Sequence, residues 1–245
     1  MTMYYIVIRE SQQNDMPFIS ELVRKAYLSN VSKAFVAALF NEVTFQAIVL
    51  LAAFMFIFMG VPLQYCLFSI PIVLIMLYIL IYGTILMKAA ESTHSKRSLQ
   101  CWVAEAYEPF FFSDTPQNCF YRVVPEEKVG DEGINVGNYR KTIVGTCAVM
   151  KHNLSEEWSW LFRLAVDVRY RKKGIGLLLT QTAQNWSRIN RFNYMELVIT
   201  ECQEEARQLF ANAGFDIKQM YHKRLFTSVF TMQMFQLRSE VRSTY

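Results

Sequence analysis

A chain of 245 residues that is 53% hydrophobic and carries a formal net charge of +4 suits one mid-sized domain with an additional apolar segment. That charge is too small and too scattered for a nucleic-acid surface, so no nucleic acid is expected as a partner. Five cysteines, odd in number and without Cys-x-x-Cys spacing, speak against both a disulfide framework and a zinc site; His94, His152 and His222 show no ligand spacing, and no metal is expected.

In chain order, Tyr4 to Arg9 alternates and is rich in β-formers, which predicts a strand. Asp15 followed by Phe18, Ile19, Leu22, Val23 and Ala26 predicts an N-cap and an amphipathic helix. Val43 to Met87 then runs without a single Asp, Glu, Lys, Arg or His. A helical crossing of a bilayer takes about 20 apolar residues, so this run predicts a membrane hairpin broken at Gly60-Val61-Pro62. Its first arm, Val43 to Met59, is slightly short for a full crossing, and a hairpin embedded in one leaflet stands beside two spans. Arg24, Lys25 and Lys33 precede the run and Lys88, Lys96 and Arg97 follow it; the positive-inside tendency puts both flanks in the cytosol. The apolar run starts too late and is too long for a signal peptide.

Beyond the hairpin, Cys101 to Glu105 and Ile143 to Val149 predict two paired strands. Glu108 to Lys141, with Pro109, Pro116, Pro125, the aromatic Phe110 to Phe112 and the polar Gly130 to Gly133, predicts a long loop between them. An apolar strand Leu161 to Val168 hands over to a helix Leu177 to Arg188 through Arg171-Lys172-Lys173-Gly174-Ile175-Gly176. A helix start leaves about four backbone N–H groups without intrahelical partners and bears roughly half a positive charge; a basic, glycine-containing turn there is suited to a phosphate. A dinucleotide fingerprint would need glycine where Leu179 stands, and the Gly-Lys-Ser/Thr of a P-loop is absent. Taken alone, the turn is also compatible with an ordinary strand-to-helix junction.

The segments that follow narrow the choice. Tyr194 to Thr200 predicts a strand, and Gln203 to Ala213 a helix with Ala206, Leu209, Phe210 and Ala213 on one stripe, Gly214 at C′ and Phe215 as a hydrophobic stop. Phe226 to Leu237 alternates and predicts a last strand. The pattern Arg-x-x-Gly-x-Gly behind Leu164 to Arg169, followed by Leu209-Phe210-Ala211-Asn212-Ala213-Gly214-Phe215, resembles the GNAT family of N-acetyltransferases, and the resemblance covers nearly everything from Cys101 onward. The strand and helix before the hairpin, with Trp102-Val103-Ala104-Glu105 after it, resemble the membrane-bound camello-like branch, which includes cysteine S-conjugate and aspartate N-acetyltransferases.

The resemblance implies an α+β fold, the acyl-CoA N-acyltransferase fold with a mixed central sheet flanked by helices, here with an inserted hydrophobic hairpin. Residues 1–40 would supply the first strand and helix, 43–87 the membrane hairpin and 98–238 the main part of the acetyltransferase domain. Acetyl-CoA is the implied cosubstrate. Ala165, Val166 and Val168 would pair with its pantetheine arm, and the amides of Lys172, Lys173, Gly174, Ile175 and Gly176 would take the pyrophosphate, with Arg171 and Lys173 available to its charge. Gln203 stands where relatives often use Asn near the pantetheine. The implied reaction acetylates a small amine, an amino acid or cysteine conjugate, at a membrane of the endoplasmic reticulum with the catalytic domain facing the cytosol. Acylation of protein lysines, or CoA binding without turnover, are the alternatives.

Acetyl transfer also needs a group to take the amine proton and one to reprotonate the thiolate. The tyrosine that commonly serves as acid is Phe210 here, and the positions at which relatives carry a glutamate are Trp160 and Val198. The remaining candidates are Glu201, first at the strand end nearest the thioester, then Glu105 and His222.

Overall fold

The computed structural model describes residues 4–94, 98–109, 115–126, 139–152, 155–225 and 230–241. Phe110 to Phe112, Gly130 to Gly133, Lys96, Arg97 and Phe226 lie outside them. Strand β1 (Tyr4–Glu10) leads into helices α1 (Met16–Leu28) and α2 (Val31–Leu39). The apolar run forms α3 (Glu42–Phe58), the short α4 (Leu63–Cys66) and α5 (Ser69–His94). There follow β2 (Gln100–Pro109), β3 (Tyr121–Pro125), β4 (Tyr139–Lys151), β5 (Trp158–Val166), α6 (Ile175–Ile189), β6 (Tyr194–Thr200), α7 (Glu204–Asn212), β7 (Asp216–Leu225) and β8 (Phe230–Glu240).

The strands make one sheet in the order β3-β1-β2-β4-β5-β6-β8-β7. It is mixed, as expected: β3 runs parallel to β1 and β6 parallel to β5, and the other neighbours are antiparallel. Apolar side chains alternate to both faces and build two cores. On one face Leu179 and Ala183 of α6 and Phe210 of α7 pack on Ile6, Trp102, Val149 and Leu197. On the other, Ile19, Leu22 and Val23 of α1 pack on Val103, Ala148, Phe162 and Ala165. β1 pairs in register with β2, Ile6 opposite Ala106, although α1 to α5 intervene in sequence, so the apolar helices are an insertion within the sheet domain.

Two parts of the sequence reading change. The long predicted loop holds a strand, β3, recruited to the free edge of β1, and the single predicted last strand is a hairpin of β7 and β8. β7 was illegible because it is a polar edge strand: Asp216, Lys218, Gln219 and His222 break the alternation, and Ile217 and Met220 stay exposed. Asp15 stands at the N-cap position of α1 without capping it; its carboxylate accepts from Gln12 N and from Arg9 Nη1, at 2.8 and 2.7 Å. The Arg9 hydrogen bond holds the Asp15 carboxyl below its ordinary range.

α3 and α5 pack together but turn most of their apolar surface outward. Leu50 and Phe58 of α3 and Ile79 of α5 are 75%, 76% and 60% exposed, far beyond what a soluble core helix leaves open. The stretch Leu63–Thr93 is long and apolar enough to cross a membrane, with mean hydropathy 2.5. The 17 residues of α3 rise only about 25 Å at 1.5 Å each, short of a hydrocarbon layer of roughly 30 Å. The chain turns between them at Gly60, whose φ of +65° only glycine adopts without strain.

Candidate active site

β5 and β6 pair only from Trp158 to Trp160 against Tyr194 to Glu196. Beyond that point they diverge, β5 running on to Val166 and β6 to Thr200, and the sheet opens. A groove of about 480 Å³ enters this split. Its walls are Ala26, Asn30 and Lys33 from the α1–α2 side, Leu164 to Val166 of β5, Tyr170 to Lys172 with Gly174 and Gly176 of the following turn, and Cys202, Gln203, Ala206 and Leu209 at the start of α7.

The turn is built from the backbone up. After Val166 the chain leaves the sheet through a single 3-10 turn, Val168–Tyr170, whose start is capped by the Asp167 carboxylate accepting from Arg169 N at 2.9 Å. Lys172 and Gly174 then take left-handed backbone angles, φ +62° and +79°. Left-handed residues in such a turn can aim successive N–H groups toward one side and make an anion-binding concavity. Gly174 is the N-cap of α6, and Leu178 N is the first helical amide to return a bond, to Gly174 O at 3.0 Å. Among the described residues, no amide from Arg171 to Leu177 donates to another backbone carbonyl outside a regular element. The positive end of a 15-residue helix and its free donors therefore face the groove.

The two glycines have different duties. A Cβ at Gly174 would meet nothing within 4 Å, so this is the open side by which an anion reaches the main chain. A Cβ at Gly176 would lie 2.6 Å from Leu209 Cδ1, so this glycine lets α6 and α7 close on each other behind the turn. The basic side chains are placed otherwise than expected. Lys173 Nζ donates to Gln117 O and Cys119 O and sits 5.1 Å from the centre of the Tyr121 ring, which leaves only its amide at the turn. Arg171 folds back, Nε donating to Val166 O and Nη2 to Ser29 Oγ, both at 3.3 Å, and ties the strand end to the end of α1. Lys172 is exposed on the groove wall.

Of the strand residues expected at the acyl arm, Ala165 and Val166 line the groove, joined by Leu164. Val168 does not: it lies past the strand end, 51% exposed, because the 3-10 turn interrupts the extended backbone. Ile175 contributes only main chain, its side chain being buried in the core. Gln203 lines the groove, its carboxamide oxygen accepting from Thr200 N at 3.1 Å. Beside it, burial pushes the Cys202 thiol up, with the Glu201 charge acting the same way and Lys33 opposing.

The candidate proton carriers are dispersed. Glu201 follows β6 and is exposed; it lines a recess of about 220 Å³ with Glu204, Arg207 and Gln233, which shares Gln203 with the groove. Glu105 is buried, accepting from Arg9 Nη2 at 3.2 Å and from the Tyr107 hydroxyl at 3.0 Å, and is not among the groove's described walls. His222 is exposed on β7, opposite Gln233. Phe210 is buried edge-on against Phe215, a packing residue with no proton to give.

One carboxylate escaped the sequence reading. Glu196 lies opposite Trp160 in register, fully buried. Arg238 Nε, Gln236 Nε2 and Lys218 Nζ donate to it at 2.6, 2.8 and 3.3 Å, and His152 Nε2 lies 3.4 Å away. Burial opposes its ionisation, but the donors from Arg238, Gln236 and Lys218 prevail and hold it below the ordinary carboxylate range. A lone glutamate inside Met-Glu-Leu-Val-Ile was the signal available, since a charge in a buried strand has to be paired.

The family model described as acetyltransferase (GNAT) family matches residues 99–215, which contain the split, the turn and both flanking helices. Among curated proteins none matches. Similar solved structures include a putative phosphinothricin N-acetyltransferase (10% identity, 96% of this chain and 98% of that one, TM-score 0.49). A spermidine N-acetyltransferase chimera from Vibrio cholerae follows, with 10% identity over 96% of this chain and 95% of that one and a TM-score of 0.46. A putative streptothricin acetyltransferase from Bacillus anthracis, in complex with acetyl coenzyme A, shares 13% identity over 62% of this chain and 66% of that one, with a TM-score of 0.41. Residues 99–215, just under half of the chain, thus match the GNAT acetyltransferase model and hold the groove and its turn together, and the chain is an N-acetyltransferase whose cosubstrate is acetyl-CoA.

Proposed function

We propose that this enzyme acetylates a small amine, an amino acid or a cysteine conjugate, while α3 and α5 hold it in a membrane with the groove on the cytosolic side, at the endoplasmic reticulum. The observation that carries the catalytic part is the uncapped start of α6, with Lys172 and Gly174 left-handed, opening on a groove that runs into the gap between β5 and β6. The amides of Lys172 to Gly176 bind the pyrophosphate, and Leu164 to Val166 present strand N–H groups to the acyl arm. Bound there, acetyl-CoA supplies a thioester whose carbonyl is polarised by a strand amide, that of Val166. Gln203 and the α7 start close the far wall and keep the arm extended. Glu201 takes the proton of the attacking amine through water, and water returns a proton to the thiolate, since Phe210 carries none.

The outward apolar surface of α3 and α5 supports the membrane part: exposed side chains such as Leu50, Ile57, Phe58 and Ile79 would leave water under a cover of lipid. An acceptor with an apolar tail would be concentrated beside the groove by the same lipid. The test is thiol release from acetyl-CoA by the vesicle-reconstituted chain with a panel of amines. Release with amino acids or S-substituted cysteines, and not with a lysine peptide, is expected. Release with lysine peptides alone would overturn the acceptor class.

A further inference from the structure

β5 contains a buried arginine in an otherwise apolar or small sequence, Trp-Ser-Trp-Leu-Phe-Arg-Leu-Ala-Val. Among the described strand residues, Arg163 alone combines a side chain with a left-handed backbone, φ +56°. The register shows why. Thr146 pairs with Ala165 and Ala148 with Phe162, so Cys147 faces two residues, Arg163 and Leu164: a bulge. A left-handed arginine in a strand persists only where its surroundings hold it. Here its guanidinium reaches out of the sheet to the end of the long apolar helix, Nε donating to Ser92 O at 2.5 Å and Nη2 to Thr93 O at 2.9 Å. These carbonyls belong to the last turn of α5, where no intrahelical donor is available and a cation is favoured. Ser92 and Thr93 are themselves buried, and the Phe162 ring lies 4.8 Å from the guanidinium.

The three residues after the bulge, Leu164, Ala165 and Val166, are the strand wall of the groove. Side chains and amides alternate along a strand with period two, so one extra residue reverses which of them face a given side. The bulge thus sets which amides of this short segment aim at the acyl arm. We infer that Arg163 is a positioning residue for acetyl transfer, making the aim of these amides depend on where the end of α5 sits, so that the seating of the apolar hairpin is read at the thioester. This rests on the groove being the acetyl-CoA site. The phosphate turn is held separately, by Asp167 N on Val144 O and the Tyr170 hydroxyl on Glu108, neither of which involves α5.

The test uses the full chain in lipid nanodiscs of short-chain and long-chain phosphatidylcholine, with CoA as probe. Calorimetry gives the Kd, and hydrogen exchange by mass spectrometry follows peptides cut on either side of Asp167. In the wild type, CoA should protect both the segment 163–166 and the segment 172–176, and the first should change severalfold between the two lipids. In R163M the protection of 163–166 should fall at least tenfold and lose its lipid dependence, while 172–176 stays protected and Kd stays within threefold. R163K, which keeps one donor group, should recover part of the protection, and it carries the test if R163M does not fold. Equal loss at both segments, with Kd rising in step, would mean a general packing role and overturn the inference. So would wild-type protection at 163–166 in R163M, or a wild-type segment indifferent to lipid. A wild-type chain that binds no CoA overturns the groove assignment as well.

Discussion

Replacing Gly174 by valine separates cofactor binding from folding. The residue sits at φ +79°, which costs a side chain of L configuration about 1–2 kcal/mol. An added Cβ meets no atom within 4 Å, so no packing penalty is added to that strain. For a chain of this size the melting temperature should fall by about 2–8 °C, taking roughly 2–4 °C per kcal/mol. The branched side chain would nevertheless stand where the anion approaches and displace it from the amides of Ile175 and Gly176. Two charge-assisted hydrogen bonds at roughly 1.5–3 kcal/mol each amount to about 3–6 kcal/mol, or about two to four orders of magnitude in Kd. Titration calorimetry with acetyl-CoA on detergent-solubilised protein measures this directly, with G174A expected in between. A Kd for G174V within threefold of wild type would refute the phosphate-turn assignment, whatever its effect on stability.

Four further outcomes are expected. G176A places a methyl group 2.6 Å from Leu209 Cδ1, the free end of a half-buried side chain that can swing aside, and should cost no more than about 1 kcal/mol, the low end for overpacking; L209A in the same chain should remove that cost in thermal unfolding. E201Q should lower kcat with little change in the Kd for CoA; an unchanged kcat with every active amine would exclude Glu201 as proton acceptor. E196Q leaves Arg238 and Lys218 facing a neutral amide, at a cost on the order of 3–5 kcal/mol for a broken buried pair. Because the folded Glu196 carboxyl is depressed, its contribution is complete above the unfolded value of about 4.3 and is lost as pH falls through the folded value. The melting-temperature gap between wild type and E196Q should therefore close in acid, and a gap constant from pH 7 to pH 2 would refute the ionic account. I79K puts a charge on an exposed position of α5, which on insertion scales costs about 2.5–3.5 kcal/mol at mid-bilayer; carbonate-resistant binding to vesicles should weaken, and unaltered binding would argue against insertion of that face.

Elements with strong periodicity and a chemical stop are legible in the sequence itself. The stripe Ala206, Leu209, Phe210 and Ala213 with Gly214 at φ +80° gave α7 and its end, and the charge-free run gave the apolar helices. The backbone of the turn before α6 was legible for the same reason, since a glycine at a helix start shapes it locally; its anion is part of the proposed function. What depended on distant partners was not. Whether Lys173 serves a phosphate or the carbonyls of Gln117 and Cys119 is decided by a loop more than fifty residues away. β3 and β7 have weak patterns of their own and form because an existing edge offers unpaired N–H and C=O groups. Val168 misled because an apolar residue after a strand reads as more strand, whereas the Asp167 cap ends it. Glu105 and Glu196 look alike in sequence, each one acid amid apolar neighbours, and only the fold reveals the cations that hold them.

The pairing of β1 with β2 across the inserted helices has a consequence for biosynthesis. About ninety residues separate Glu10 from Gln100, which at roughly 5–20 residues per second occupies the ribosome for about 4–20 s. Through that interval the first strand waits with neither neighbour made, while the apolar helices that follow it are synthesised. With the apolar helices in lipid, as proposed above, a nascent molecule would be tethered before its sheet nucleates, and the tether would keep the waiting strand close to the place where its partner emerges.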